Sequence, residues 1–264
     1  MAFTDHLKLA MRFATYYVTS TNRHGLQGPF AYRLNDAVFR NDKNEPLFAP
    51  VEEVRNALLR DNSTINVRDF GAGFGGVNYK ERAISYIARH SAKPPRYARM
   101  LHRLVKYRQP KVMLELGTSF GISALYQSLG APSSLLYTME GCPATATIAR
   151  QQFARFPQCN IQVIEGPFDE TLQSLLSTIP AIDYVYIDGH HRLEPTLRYV
   201  DMIYPKLSAD AVMVIDDINW SDEMREAWSR LIADQRFTQS MDVFMMGLLF
   251  NNKDLSKENF VVRY

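Results

Sequence analysis

The stretch that decides the fold is KVMLELGTSFG, residues 111–121. Its apolar run carries one acid, Glu115, and stops at Gly117, after which a short polar turn leads to Gly121. The next residues, ISALYQSLG, have the apolar spacing of a helix. This order of strand, glycine turn and helix is typical of a nucleotide-binding βαβ unit, where glycine lets the backbone approach a ligand closely.

A second apolar run, residues 135–139, ends in Glu140, which lies 25 residues after Glu115. A carboxylate near this offset can accept hydrogen bonds from both hydroxyls of a ribose. The turn between Gly117 and Gly121 is not a standard dinucleotide fingerprint, and it lacks the Gly-Lys-Ser/Thr ending of a P-loop. A ligand with ribose and adenine but no phosphates fits better, which points to S-adenosylmethionine.

Two segments, ELGTSFGIS and YTMEGCPATATIARQQF, resemble the first two motifs of the class I S-adenosylmethionine-dependent methyltransferases. The sequence is most similar to the catechol and caffeoyl-CoA O-methyltransferase group, and the resemblance covers residues 97–264. It implies a Rossmann-like α/β fold with a doubly wound, mostly parallel, seven-stranded sheet. The predicted cofactor-binding residues are Glu115, Gly117, Thr118, Ser119, Gly121, Ser123, Glu140, Gly141, Gly166, Phe168 and Asp188.

The alternation of strand and helix patterns after residue 110 supports such a sheet. We expect strands at 111–117, 134–140, 161–165, 182–188 and 211–216, and an antiparallel terminal pair from 241–250 and 259–264. The methyltransferase domain is predicted to span residues 96–264. Phe168, after the third strand, could pack on the adenine ring or simply fill a turn.

Residues 1–95 are predicted to form a helical extension. An amphipathic helix is expected at 3–18, with an apolar face that packs on a neighbouring domain or subunit, and further helices are expected at 51–60 and 79–90. The segment DFGAGFGG (69–76) also resembles a cofactor loop, but no second strand ending in an acid follows it. We therefore interpret it as a mobile glycine-rich loop, with a lid over the active site as a hypothesis.

Acidic residues gather at the ends of the fourth and fifth predicted strands, at Asp188 and at Asp216-Asp217. Carboxylates at one sheet edge repel unless a cation or protons intervene, and oxygen ligands suit Mg²⁺ or a similar ion. The resemblance implies a metal site here, formed by Asp188, Asp216 and Asp217, although Asp217 replaces the family's Asn. In similar metal-free enzymes, acids at these positions orient the cofactor or substrate instead.

The catalytic residues are predicted to be Asp188 and His191. His191 matches the position of the catalytic lysine in the related catechol enzymes, and histidine titrates in the range that suits a general base. His190 is the rival for this role. Either histidine could instead be a metal ligand or a helix-capping residue.

Composition limits the class of protein. The chain has 264 residues, 46% of them hydrophobic, and no apolar run approaches the roughly 20 residues of a membrane span. Without a signal-peptide pattern and with only Cys142 and Cys159, we expect a cytoplasmic protein with reduced thiols. The expected partner is a small-molecule acceptor, and a homodimer is an open alternative.

The charge is distributed unevenly, with a formal charge of +9 in residues 1–110 and −7 in residues 111–264. The basic half is either a solvated surface or a surface for anionic partners such as RNA. RNA modification therefore stays open as an alternative function. A non-catalytic S-adenosylmethionine-binding protein and an NAD-type oxidoreductase are the rivals from other classes.

Overall fold

The structure is a computed structural model that describes residues 3–22, 25–26, 28–40, 42–43, 45–69 and 78–264. The helices are α1 (Phe3–Thr19), α2 (Pro29–Leu34), α3 (Ala49–Arg60), α4 (Ile84–Ser91), α5 (Pro95–Arg108), α6 (Ile122–Gly130), α7 (Pro143–Phe153), α8 (Phe168–Thr178), α9 (Leu193–Ile203) and α10 (Asp222–Ala233). The strands are β1 (Thr64–Asp69), β2 (Asn78–Ala83), β3 (Val112–Leu116), β4 (Leu135–Glu140), β5 (Asn160–Glu165), β6 (Ile182–Ile187), β7 (Leu207–Asp216), β8 (Gln239–Asp242), β9 (Met246–Phe250) and β10 (Glu258–Val261).

Strands β3 to β10 form one mostly parallel eight-stranded sheet, and β1 and β2 form a separate antiparallel pair. The predicted α/β fold with a mostly parallel sheet is thus confirmed. The chain divides into two compact units: residues 37–179, here called the first unit, and residues 1–36 with 180–264, the second unit. The predicted boundary between extension and methyltransferase domain at residue 95 stays a prediction.

In the first unit, β3, β4 and β5 are parallel neighbours in that order. Their register sets Leu116 beside Met139 and Glu140 beside Glu165, so the chain leaves these strands at one edge. A buried apolar cluster that includes Phe48, Val51, Ala98, Leu125 and Tyr126 packs α3, α5 and α6 together.

The prediction of a helix over 79–90 is partly wrong, because this segment begins in β2 and becomes helical only at Ile84. β2 pairs along its whole length with β1, from Thr64 beside Ala83 to Asp69 beside Asn78. A ladder with a distant partner overrides local helix propensity here. Residues 70–76 of the glycine-rich segment lie outside the described residues, so the lid stays a hypothesis.

In the second unit, the strand order is β10, β8, β9, β7, β6. β9 is antiparallel to both β7 and β8, whereas β10 is parallel to β8. The expected antiparallel pairing of 241–250 with 259–264 is therefore wrong. The first of these segments bends at Phe244, whose φ is 71°, and becomes two strands, which raises the strand number from seven to eight.

Helix α1 packs on the second unit through its polar face. The Tyr16 hydroxyl donates to the carbonyl of Val262 at 2.6 Å, and the Arg12 guanidinium donates to the carbonyl of Asn219 at 2.8 Å. On the opposite face, Leu7 and Tyr17 are 55% and 53% exposed. The expected burial of this face on a neighbouring domain is not seen among the described residues, and its packing on another subunit stays a prediction. Helix α1 is held by these hydrogen bonds together with the contacts of Phe13 and Tyr16 with the Phe244 ring.

Among the described helices, none combines the length and the apolar character that crossing a bilayer requires. Cytoplasmic location and homodimer formation stay predictions.

Candidate functional site

The carboxylate of Glu140, at the end of β4, connects two loops of the first unit. Its Oε2 accepts the N–H of Ser119 at 2.8 Å, and its Oε1 accepts the N–H of Cys142 at 2.9 Å. The N–H of Gly166 donates to the Glu140 carbonyl at 2.9 Å. Three predicted cofactor segments therefore meet at this residue. Burial raises the pKa of the Glu140 carboxyl, while the backbone N–H groups that it accepts oppose the shift.

The turn after β3 has a left-handed backbone at Gly117, Ser119 and Gly121, with φ values of 107°, 48° and 83°. The N–H groups of Gly117 and Thr118 both donate to the Met139 carbonyl at 3.0 Å, which fixes the turn to β4. A Cβ atom on Gly121 would lie 2.4 Å from the ring of Phe153. Glycine at 121 is therefore required by backbone conformation and packing, whereas the sequence argument attributed it to close approach of a ligand.

Glu115 is fully buried and belongs to a chain of four hydrogen-bonded side chains, here called the Glu115 chain. Its carboxylate accepts the Gln127 amide at 2.7 Å and the Thr138 hydroxyl at 2.5 Å. Because the one proton of Thr138 goes to Glu115, the Thr118 hydroxyl donates to Thr138 at 2.7 Å. The chain links α6, β3, β4 and the turn, so the side chains of Glu115 and Thr118 support the turn from below.

The other predicted cofactor residues of the first unit lie around the same strand ends. Ser123, in the first turn of α6, and Phe168, the first residue of α8, are both buried. Gly141 directly follows Glu140, and Gly166, with a φ of 131°, precedes α8.

Two neighbours of this site come from segments that carry no cofactor signal in the sequence. The hydroxyl of Ser91, the last residue of α4, lies 2.7 Å from that of Ser119. The N–H of Arg68, in β1, lies 3.3 Å from the thiol of Cys142. Neither contact follows from local sequence patterns, because Arg68 and Ser91 reach the site through the pairing of β1 with β2 and through helix α4.

A second cluster lies in the second unit, at the carboxyl ends of β6 and β7. Ligand atoms of Asp188, His191 and Asp216 lie within 4.8 Å of one another. His191 Nε2 is 3.5 Å from Asp188 Oδ1, and His191 Nδ1 is 3.9 Å from Asp217 Oδ2. We call Asp188, His191, Asp216 and Asp217 the acidic cluster. Asp216 is fully buried, and the Tyr186 hydroxyl donates to Asp188 at 3.0 Å.

Left-handed backbone places the side chains of the acidic cluster. His190, His191 and Asp217 have φ values of 64°, 38° and 53°. Such conformations in non-glycine residues cost roughly 1–3 kcal/mol each and are common at functional sites. The His190 ring packs on Tyr199, with centroids 5.6 Å apart, so His191 is the histidine that joins the cluster.

The three residues that come closest together are not the three that the sequence predicts as metal ligands. The ligand atoms of His191 lie close to those of Asp188 and Asp216, whereas the Asp217 carboxylate lies beside His191 at 3.9 Å. Two carboxylates and one imidazole fit a divalent cation, with the oxygen donors favouring Mg²⁺ or Mn²⁺ and the nitrogen donor tolerating Fe²⁺ or Zn²⁺. The donor set therefore suits a cation, and His191 is a candidate ligand as well as a candidate base.

The two tryptophans differ in environment. Trp228 is buried, and a Cβ atom added to Gly247 would lie 2.4 Å from its ring, so it belongs to the core. Trp220, directly after the segment that carries Asp216 and Asp217, is 43% exposed.

Comparisons with known proteins identify the domain. A family model described as a methyltransferase domain matches residues 114–218, a range that contains both the Glu140 site and the acidic cluster. The chain is 28% identical over 138 residues to a transmembrane O-methyltransferase homolog of Rattus norvegicus, a match that covers 42% of this chain and 54% of the rat protein. It spans about a third to a half of the length of the curated relatives that it matches.

Solved structures share the fold at low identity. The O-methyltransferase of Bacillus cereus in complex with SAH superposes with a TM-score of 0.57 at 15% identity, over 83% of this chain and 95% of that one. The SAH-bound methyltransferase PaMTH1 of Podospora anserina gives a TM-score of 0.60 at 18% identity, over 85% and 97% of the two chains. These structures confirm the expected fold, and the match over residues 114–218 supports a methyltransferase domain within it.

Proposed function

We propose that this chain transfers the methyl group of S-adenosylmethionine to an oxygen atom of a small-molecule acceptor, because residues 114–218 match a methyltransferase domain. The observation that carries this proposal is the Glu140 carboxylate, held on the glycine turn by the N–H groups of Ser119 and Cys142. The bound cofactor supplies a methyl group already activated by a sulfonium. The protein must therefore align the acceptor and keep its oxygen unprotonated.

Glu140 is proposed to accept hydrogen bonds from the cofactor ribose. The N–H groups of Ser119 and Cys142 each donate to one carboxylate oxygen, and the Gly141 N–H also interacts with this carboxylate. The remaining accepting capacity of the carboxylate would be used by the ribose hydroxyls. The backbone around Gly117 and Gly141 would contact the rest of the nucleoside, and Phe168 would pack on the adenine.

The acidic cluster is proposed to activate the acceptor. If a divalent cation is bound, Asp188 and Asp216 would hold it, and the acceptor hydroxyl would lose its proton more readily beside that charge. If none is bound, His191 would take the proton. The carboxylates of Asp188 and Asp217, 3.5 and 3.9 Å from its two nitrogens, would then stabilise the imidazolium.

Calorimetry with S-adenosylhomocysteine and with NAD tests the cofactor assignment. We expect binding of S-adenosylhomocysteine alone, because the turn lacks a pyrophosphate fingerprint. Binding of NAD alone would overturn the proposal in favour of an oxidoreductase.

Methyl transfer from labelled cofactor to a panel of hydroxyl compounds then tests the activity. The assay is run with EDTA and with added Mg²⁺ or Mn²⁺. Loss of activity in EDTA with recovery on addition of the cation supports the metal-assisted route, and unchanged activity supports His191 as the base. Cofactor binding without transfer to any acceptor would favour a non-catalytic binding protein.

A further inference from the structure

The second unit contains a cavity of about 350 Å³ that no step of the proposed mechanism uses. It lies between α1 and the segment that leads from β7 into α10. Its walls include Lys8, Arg12, Asn219, Asp222, Arg225 and Asp242. A volume of this size is in the range of small-molecule sites.

One face of α1 lines this cavity. Thr15 and Thr19 line the cavity together with Lys8 and Arg12, while Val18 on the other face is 82% exposed. A surface helix normally buries its apolar face, because that removes apolar area from water. Here Val18 stays in solvent, and the face of α1 that carries Lys8, Arg12 and Tyr16 forms one wall of a partly open cavity with polar and apolar lining.

The cavity wall carries one buried cation, Arg12, and charged side chains that reach solvent, Lys8, Asp222 and Arg225. The Arg12 side chain is only 7% exposed; it donates to the Asn219 carbonyl at 2.8 Å and forms an ion pair with Asp222. Lys8 forms a second ion pair with the same carboxylate, at 2.9 Å. Two cations thus share one acid, which leaves an excess of positive charge on this side of the cavity.

Arg225 adds a third cation from the first turns of α10. Across the described ranges, its guanidinium forms no hydrogen bond and no ion pair within 4 Å, and the nearby acid Asp242 acts on it only at longer range. Asp242 already accepts the N–H of Phe244 at 2.7 Å. The wall therefore holds three cations against two acids, and one cation is free to pair with a ligand.

We propose that this cavity binds the carboxylate of the acceptor, so that small hydroxylated carboxylic acids are preferred over neutral hydroxyl compounds. The inference rests on the proposed function for the methyl transfer itself. Asn219, in the cavity wall, follows Asp216 by three residues in the chain, so the cavity wall continues directly from the segment that carries the acidic cluster. The planar fork of a guanidinium suits recognition of a carboxylate.

The experiment compares acids with their own esters. The probes are 3,4-dihydroxybenzoate and 3,4-dihydroxycinnamate, each beside its methyl ester, with the full chain and S-adenosylmethionine. We expect kcat/KM for the acids to exceed that for the esters by about tenfold or more. Arg225→Gln should raise KM for the acids about tenfold, with kcat nearly unchanged and the esters unaffected. Equal kcat/KM for acid and ester in the unmodified protein would overturn the proposal.

Arg230→Gln is the matched control, since Arg230 lies on the same helix and pairs with Glu226 outside the cavity. It should leave both classes of acceptor unchanged. An equal loss for acids and esters in Arg225→Gln would assign Arg225 a structural role and contradict the inference.

Direct binding separates this inference from the proposed function. Calorimetry of 3,4-dihydroxybenzoate into the complex with S-adenosylhomocysteine should show binding that Arg225→Gln weakens about tenfold. No binding at millimolar probe would overturn the cavity assignment even if transfer to neutral acceptors proceeds. Binding of the probe that depends on Arg225, by a protein that binds no S-adenosylhomocysteine, would overturn the methyltransferase proposal and leave the cavity assignment standing.

Discussion

The Glu140 site and the acidic cluster are built in different ways. In the first, a carboxylate is anchored by the N–H groups of Ser119 and Cys142, and the turn is anchored by the Met139 carbonyl. In the second, ionisable side chains face one another from loops with left-handed backbone at His191 and Asp217. In the first site the carboxylate is therefore held by backbone groups of the chain itself. The second depends on a proton or a cation to relieve the repulsion between its carboxylates.

The largest expected effect is on the acidic cluster. Asp216→Asn should reduce the rate of methyl transfer at least about 100-fold, or about 3 kcal/mol, because the cluster loses the charge that would hold a cation or a proton. The binding of S-adenosylhomocysteine, measured by calorimetry, should be unchanged. Asp254→Asn, at an exposed position, serves as the control. Weakened cofactor binding in Asp216→Asn would mean that the two sites are not separable as described.

The backbone of the first site can be tested by Gly121→Ala. The new methyl group would meet the Phe153 ring at 2.4 Å on a backbone with φ of 83°, so we expect a loss of about 2–4 kcal/mol in the free energy of unfolding. Gly28→Ala isolates the cost of the backbone alone, since φ is 109° there and no atom lies within 4 Å of the added carbon. Urea denaturation measures both. Equal losses in the two variants would show that packing against Phe153 contributes nothing.

The carboxyl of Asp242, in the cavity wall of the second unit, predicts that the free energy of unfolding depends on pH. Burial raises the pKa of this carboxyl from 3.8 to about 6. Between these values the folded chain holds a proton that the unfolded chain has lost, so this group's contribution to stability falls as pH rises through about 6.

Asp242→Asn removes that dependence. The unfolding free energy of the variant, relative to the unmodified protein, should therefore rise between pH 4 and pH 7 by at most about 3 kcal/mol. Urea denaturation at pH 4, 5, 6 and 7 checks this. If the unfolding free energies of the variant and the unmodified protein differ by the same amount at all four pH values, the raised pKa of Asp242 is contradicted.

The smallest expected effect concerns the ligand contact of the first site. Glu140→Ala should weaken binding of S-adenosylhomocysteine by about 1–3 kcal/mol, the range for loss of hydrogen bonds to a charged group. Glu140→Gln keeps the shape of the side chain and part of its capacity to accept hydrogen bonds, so binding of S-adenosylhomocysteine should weaken less. An unaltered dissociation constant in Glu140→Ala would show that another acid holds the ribose.

The part of the site that sequence could predict is the part made of contiguous residues. The turn from Gly117 to Gly121 and the acid at 140 follow from a local pattern, since strand, turn and helix are adjacent in the chain. The membership of the acidic cluster could not be predicted in the same way. Whether His191 or Asp217 joins Asp188 and Asp216 depends on left-handed residues, which no periodicity reveals.

Long-range pairing explains the remaining errors in the fold. β2 is a strand because β1 pairs with it, and residues 241–250 divide into two strands because the Asp242 carboxylate accepts the Phe244 N–H and supports a bend. The orientation of α1 reverses the usual rule for amphipathic helices, since charged partners on α10 override its apolar face. Each of these outcomes depends on partners distant in sequence.

The Glu115 chain restricts which amino-acid substitutions this protein can accept during evolution. Its hydrogen bonds have a fixed direction: Thr118 donates to Thr138, and Thr138 and Gln127 both donate to Glu115. Replacing Thr138 by valine would leave Thr118 without an acceptor and Glu115 without a donor, and replacing Glu115 by leucine would leave Thr138 and Gln127 without an acceptor. Drift at these four positions should therefore proceed by joint replacement, with single-step intermediates disfavoured.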